Sequence, residues 1–515
     1  MATKNFLTLY VFLFSALSLH GQVSPAEGST LSYRIIGFAT PKEKWATDYQ
    51  FEIASGNFFS ADSFSHAITV SARRDKNRII AEVPSFGIAY TWRVVCSGTN
   101  NRKKTGELHH FSLGRIPEFD SNRHRVRILK NTGKFVDNYF FVDRVLYDME
   151  GQPVWYIPSL GVDRNPIVKD AKVSPFGTIT LISDNRDILE INYNAKILWK
   201  GPDNGTVSGT DKENYHSSFV RLANGHYMVL GDEFVWWDTT RYRPDYEHYS
   251  DSVRRANPNV PNLNNQHTPF GTVIEYDSSG IPVWYWKSSA YFLHSDLVNY
   301  PVPAGAPFLD VYENAFYFDS AANMLYVGFQ GISRVLKISY PGGSVLGEYG
   351  EIFKNGVVPA GNALYCGQNT VGMTTDKMLY LYNNTCDLDA VASVELLKLP
   401  GNRSEEVTKA WEYRLPDEIV DNTTRIPIPK KGRKIQRPLG GSVSELPGAS
   451  LFVSMNLPYS YLYVVNRNKE LLWLAVPERW LDIEKMWSQA PTYRASMITR
   501  SDLERLIWNS VEDPR

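Results

Sequence analysis

Three stretches of this 515-residue chain gather side chains able to bind or transfer a polar group. In NYHSSFVRLANGHYMVL (214–230), His216 opens an apolar run that ends in an Ala-Asn-Gly turn. DVYENAFYFDSAANMLYVGFQGISRVLKI (310–338) offers Tyr312, Glu313, Asn314, Phe329, Gln330 and Arg334. YCGQNTVGMTTDKMLYLYNNTC (365–386) offers Gln368, Asn369 and Asn383. Imidazole is a nucleophile and a general acid or base near neutral pH, so His216 is the predicted catalytic residue. Asn314, Gln368 and Asn369 are neutral donors suited to the oxygens of a bound group, with Tyr312 beside them and Arg334 as a nearby cation. Lys172 and Ser442 hold the corresponding places in two other stretches. Against this stands a structural reading, in which His216 is satisfied at a strand end and Asn369 serves a turn. The pair Asp232-Glu233 offers oxygen ligands. No zinc spacing, Gly-rich phosphate loop or nucleophile elbow occurs, so no metal or cofactor is expected.

Such residues need elements that carry them to one place. A unit of strand, strand, polar turn and strand, the last usually ending in Trp, returns about every forty to fifty residues. Its ends read DRVLYDMEGQPVWYI (143–157), RDILEINYNAKILWK (186–200), GTVIEYDSSGIPVWYW (271–286), SRVLKISYPGGSVLGEY (333–349) and YLYVVNRNKELLWLA (461–475). A looser copy is ASVELLKLPGNRSEEVTKAWEY (392–413). A repeat of this length cannot bury its faces alone and must stack on its neighbours. The expectation is an all-β chain with a six-bladed β-propeller over 116–500, its repeat-end Trp residues between blades. Inner strands then line a channel, and the loops before them bring His216, Asn314 and Asn369 to its mouth.

The remaining segments differ in texture. TDYQFEIASG (47–56), HAITVSARR (66–74), RIIAEVPS (78–85) and YTWRVVCSG (90–98) alternate apolar and polar residues between turns, which predicts a small immunoglobulin- or fibronectin-like β-sandwich over 28–114. GRIPEFDSNRHR (114–125) is the predicted hinge. The polar insertion 238–269 and the connection 287–310 have the length of lids or binding loops, and they hold His267 and His294. SDLERLIWNSV (501–511) predicts a helical tail over 501–515, opened by a Ser501–Glu504 capping box. Lys4 and the short apolar run at 6–14 predict a signal segment over 1–22 and a secreted or periplasmic protein without a membrane anchor. Export permits a disulfide, and of three cysteines Cys366 and Cys386 are the expected pair, with Cys96 a buried thiol. A net charge of −1 gives no electrostatic case for nucleic acid or an anionic membrane. The 13 Trp, 30 Tyr and 25 Phe suit strands and the walls of a ligand funnel alike.

Several spacings resemble the arylsulfate sulfotransferase family of exported propellers. His216 is followed after eight residues by Gly225-His226-Tyr227-Met228, and Asp310, Asn314, Asp319, Leu325 and Gln330 keep that family's intervals. Gly367-Gln368-Asn369 with Tyr382-Asn383-Asn384 resembles its Gly-Gln-His segment and the following Asp-Asn turn. A β-sandwich ahead of a six-bladed propeller is also the family's layout. The resemblance implies a ping-pong reaction in which a propeller-mouth His accepts a sulfuryl group from an aryl sulfate and passes it to a phenol. His216 and Asn314 match family positions. Tyr312 stands where a His is expected, Phe329 where the sulfate-binding Arg is expected, and Asn369 where the nucleophilic His is expected. Weak or absent sulfuryl transfer follows. Two functions are therefore expected: sulfuryl transfer between phenolic donor and acceptor, rebuilt around His216, or a non-catalytic propeller binding a small aromatic, glycan or protein ligand at its mouth.

Overall fold

The computed structural model describes residues 23–115, 124–161, 168–183, 185–236, 267–292, 311–350, 364–384, 391–400, 407–423, 440–456 and 460–512. The expected signal segment, most of both long insertions, His294, the side chain of His267 and Cys386 lie outside the described residues. The fold is all-β, and the chain divides into two compact units, 1–115 and 116–515. No helix among the described residues is long and apolar enough to cross a membrane.

In the first unit, Ser29–Leu31, His109–Leu113, Ala89–Gly98, Ala46–Ser55 and Ile68–Arg74 lie side by side, with Lys103–Thr105 also on Ala89–Gly98. Ile35–Ala39 and Arg78–Glu82 form a second sheet. The first pairing, Ser29–Leu31 on His109–Leu113, is parallel. Phe38 of the smaller sheet meets Trp92 of the larger edge-on, ring centres 5.2 Å apart, and both are fully buried. Cys96 lies buried and free in the same sheet, and burial pushes its thiol up. His110 is held between Glu27 and the Phe58 carbonyl, which accounts for it structurally.

The second unit carries six antiparallel sheets among its described residues. Four of them are consecutive strands within 168–200, 215–287, 313–349 and 369–414. Another comprises Ser442–Glu445, Leu451–Ser454, Leu462–Val465, Leu471–Leu481 and Met486–Gln489, with His124–Asn131 added on Leu471–Leu481. The remaining sheet joins Pro153–Tyr156, Val145–Asp148 and Asn138–Val142 to Ala495–Thr499 from the far end of the chain. One strand of each sheet touches its counterpart in the next, and the cycle closes. It runs from Val168–Val173 through Tyr215–Arg221, Glu313–Asp319, Asn369–Met373, Ser442–Glu445 and Ala495–Thr499 back to Val168–Val173.

Repeat-end tryptophans pack from one sheet onto the next. Trp199 stacks on Tyr227 at 3.8 Å, Trp284 meets Tyr340 at 5.2 Å, and Trp473 meets Phe140 at 5.0 Å. Such aromatic pairs contribute roughly 0.5–1.5 kcal/mol each beyond the area they bury.

The tail helix spans Arg500–Glu512 and opens one residue earlier than its sequence suggests. The reciprocal cap is Thr499 with Asp502: the Thr499 N–H donates to Asp502 Oδ2 at 3.0 Å, and the Asp502 N–H to Thr499 Oγ1 at 3.2 Å. Glu504 instead pairs with Arg500 at 3.0 Å. The helix buries Leu503, Leu506 and Ile507, and Ser510 accepts the Tyr193 N–H at 2.8 Å, which docks it on the 168–200 sheet.

Candidate functional site

Four of the inner strands carry a β-bulge just after their start, between Val168 and Asp170, His216 and Phe219, Glu313 and Ala315, and Asn369 and Val371. A bulge lifts one residue out of the ladder and re-aims its backbone. Ser217 and Thr370, inside two of them, take the left-handed φ values 61° and 56° that non-glycine residues rarely adopt. The freed groups converge on one guanidinium, that of Arg494, the residue before the closing strand Ala495–Thr499.

Arg494 Nη1 donates to the Ser217 carbonyl, and Nη2 donates to the Asn314 carbonyl at 2.6 Å and to Asn369 Oδ1 at 2.5 Å. The carbonyl of its neighbour Tyr493 accepts the Gly441 N–H at 2.9 Å. One two-residue step thus ties together four inner strands beside its own. Among the described residues the carboxylate within ion-pair reach of Arg494 is Asp170, 4.0 Å away and already shared with Lys172 at 2.5 Å. Arg494 is only 8% exposed.

Asn314, Gln368 and Asn369 come together as expected, each 1% exposed or less. Asn314 Nδ2 donates to Gln330 Oε1 at 3.1 Å and to the Gln368 carbonyl at 2.8 Å. Gln368 Nε2 donates to the carbonyls of Phe329 and Arg334 at 3.1 and 2.8 Å. Asn369 Oδ1 also accepts the Thr370 N–H at 2.9 Å. Four buried atoms of this cluster have no partner among the described residues: Asn314 Oδ1, Gln368 Oε1, Asn369 Nδ2 and Arg494 Nε.

His216 stands one residue from this cluster. Its Nε2 lies 3.2 Å from Asp232 Oδ1 and its Nδ1 3.0 Å from Ser217 Oγ, which is itself 3.3 Å from Tyr493 Oη. Asp232 also accepts from Asn214 Nδ2. Both ring nitrogens of His216 thus lie within hydrogen-bonding distance of a neighbouring side chain, Asp232 on one side and Ser217 on the other. The expected role of His216 as nucleophile or general acid stays a proposal. Tyr312, at φ 41°, accepts the Gln330 N–H at 2.8 Å through its carbonyl.

Arg334 is a correction. Residues 330–333 form a hairpin turn, so Phe329 and Arg334 are directly opposed partners sharing a face. That face is apolar: Phe329 is fully buried against Phe292 and Trp286, and the Arg334 guanidinium sits 5.7 Å from the Phe292 ring. Arg334 Nη1 is bound by Glu348 at 2.8 Å. Only its carbonyl reaches the site, through Gln368.

Of the other candidates, Lys172 reaches Ser218 Oγ at 3.2 Å, and Ser442 Oγ donates to the Ala495 carbonyl at 2.8 Å. Asp232 and Glu233 point to opposite faces of their strand, and Glu233 binds Lys287 at 2.8 Å, so the two do not share a cation. No group of metal-ligating side chains occurs among the described residues. Sequence reasoning missed Arg494. The signal available was a cation immediately before a short alternating strand, ASMIT, that no repeat needed.

No family model and no curated protein matches the chain. Among solved structures, the extracellular domain of a hybrid two-component system from B. thetaiotaomicron overlaps 82% of this chain and 44% of its own, at 8% identity and a TM-score of 0.32. This chain thus spans less than half of that neighbour's length. Kuenenia stuttgartiensis hydrazine synthase overlaps 66% of this chain and 88% of its own, at 12% identity and a TM-score of 0.30. Hsv2 of Kluyveromyces lactis overlaps 80% and 95%, at 8% identity and a TM-score of 0.26. Overlaps this loose carry no inference about function.

Proposed function

We propose that residues 116–500 form a six-bladed β-propeller and residues 28–114 a small β-sandwich. On this arylsulfotransferase-like scaffold the cluster around Arg494 is a binding site for a small polar, oxyanion-bearing molecule, held without covalent transfer. The observation that supports this reading is the set of four unpaired buried atoms in that cluster. Each such atom left unsatisfied costs about 1–3 kcal/mol. A ligand with anionic oxygens for Arg494 Nε and Asn369 Nδ2, and a hydroxyl for Asn314 Oδ1 and Gln368 Oε1, satisfies both kinds at once. Export through the 1–22 segment belongs to the same reading, as does a Cys366–Cys386 bond. Asn383 Oδ1 accepts the Cys366 N–H at 3.0 Å, which sets residue 366 beside a residue three positions before 386 in sequence.

A second reading, sulfuryl transfer, has one observation in its favour. Arg494 supplies a buried cation beside Asn369, although Phe329 has displaced the expected Arg. Calorimetric titration with p-nitrophenyl sulfate, followed by intact-mass measurement, tests the choice. The binding reading expects saturable heat, weakened in Asn369→Ala, and no mass gain. A sulfuryl adduct on the protein overturns it in favour of transfer, and absence of saturable heat overturns both.

A further inference from the structure

A separate cavity of about 290 Å³ is lined by residues of the 168–200 and 215–287 sheets and of the segment that joins them. Its walls include Arg186, Asp203, Lys212, Asn214, Tyr215 and Phe234. We infer that it is a subsite for a single neutral hexose unit of a glycan. This inference stands on its own residues and does not rest on the Arg494 cluster.

Three observations carry it. The first is an apolar shelf. Asp232 and Phe234 lie on one face of Tyr227–Trp236, where that strand, still paired with His267–Tyr276, extends beyond Tyr215–Arg221, and Phe234 is 40% exposed. An exposed ring of this kind offers a flat apolar surface to the C–H face of a pyranose while the sugar's hydroxyls stay in reach of polar groups.

The second is a near-neutral polar rim. Asp187 is bound to Lys200 at 2.6 Å, and the Glu213 carboxylate accepts the N–H groups of Val207 and Ser208 at 2.7 and 3.1 Å. Those two charges are already used. Lys212 and Asp203 lie 3.7 Å apart, beyond a direct hydrogen bond and spaced for one hydroxyl to donate to the carboxylate and accept from the ammonium. The Arg186 side chain makes no hydrogen bond or ion pair among the described residues and stands exposed at the lip, while its N–H donates to the Ser183 carbonyl at 3.1 Å. With cations and carboxylates balanced, a sulfate gains little here, whereas vicinal hydroxyls, each donor and acceptor, match the alternation.

The third is size. The volume is at the lower end for small-molecule pockets, which suits one ring rather than a chain. Its floor is rigid: Tyr215 Oη is hydrogen-bonded to Tyr276 Oη at 2.8 Å, and Asn214 is fixed by Asp232.

Saturation-transfer NMR on the full chain, with methyl β-D-glucopyranoside, methyl β-D-galactopyranoside and methyl α-D-mannopyranoside, tests the subsite. At least one should bind saturably, with transfer strongest at its ring C–H protons. Its Kd should rise about tenfold in Phe234→Ala, the factor that a lost contact of about 1.4 kcal/mol corresponds to. Asp203→Asn should weaken it as well, and saturating p-nitrophenyl sulfate should leave it bound. Phe234 is exposed, so an unchanged Tm should accompany its replacement. No saturable binding of any of the three, an unchanged Kd in Phe234→Ala, or displacement by p-nitrophenyl sulfate would each overturn the inference. None of these results bears on whether the Arg494 cluster binds an anion.

Discussion

Two arginines, both less than a tenth exposed, occupy neighbouring regions of the second unit in opposite chemical states. Arg334 is neutralised by Glu348 at 2.8 Å and covered by aromatic rings. Arg494 has spent its Nη protons on two backbone carbonyls and an amide oxygen, and the carboxylate it can reach is 4.0 Å away and shared. A buried charge needs compensation, and dipoles supply less of it than a carboxylate does. The first region carries its counter-charge beside it, although Arg334 Nε too has no hydrogen-bond partner among the described residues. The second still holds unspent positive potential, which is what a site for an anion requires.

The comparison breaks most visibly under substitution. Arg494→Met should cost about 3–5 kcal/mol in guanidinium unfolding, because it strands buried acceptors on several sheets at once. Cys366 stands two residues before Gln368, whose amide reaches the Arg334 carbonyl, so the expected Cys366–Cys386 bond would anchor the segment that links the two regions. Closing that loop contributes on the order of 3 kcal/mol in the chain-entropy account. Thiol titration of the unreduced, unfolded protein should find one free group, and three would sink the pairing. Arg334→Met should cost about 1–3 kcal/mol, since Glu348 is 23% exposed and can turn to water. An equal or larger loss than for Arg494 would erase the distinction between the regions.

A buried carboxylate gives the smallest and sharpest test. Burial pushes the pKa of Glu395 up, against opposing bonds from Lys409 at 2.9 Å and Asn383 at 2.7 Å. A raised folded-state pKa means that this group's contribution is fully present below its ordinary value and is lost as pH rises through the raised one. Glu395→Gln lacks that loss. The stability gap between wild type and variant should therefore shift in the variant's favour as pH rises from about 4 to about 7. A gap independent of pH would show that Lys409 fully offsets the burial.

How much of this was legible beforehand follows from how local each feature is. The repeat ends at 143–157, 186–200, 271–286 and 333–349 are strand pairs joined by short turns, and hydrophobic alternation with a terminal Trp marks them without reference to the rest of the chain. Asn314, Gln368 and Asn369 were reachable for the same reason, since each lies at or just before the start of an inner strand. Arg334 was misjudged because what occupies it is not local in sequence: Glu348 takes its guanidinium at 2.8 Å, on the apolar face it shares with Phe329 across the turn at 330–333. Arg494 carried only the weak signal of a cation before an unassigned strand. Its importance comes from contacts 125 to 277 residues away in sequence, made only when the final strand closes the cycle.

That closing strand has a consequence for biosynthesis. Ala495–Thr499 completes a sheet begun by Asn138–Val142, and no earlier part of the chain supplies Arg494. A protein made from its N-terminus assembles its early sheets first, so the cluster around Arg494 cannot form until the strand that closes the cycle has left the ribosome. A chain ending before residue 494 would carry nearly every repeat and lack that cluster. The cluster and the closing strand are therefore acquired together.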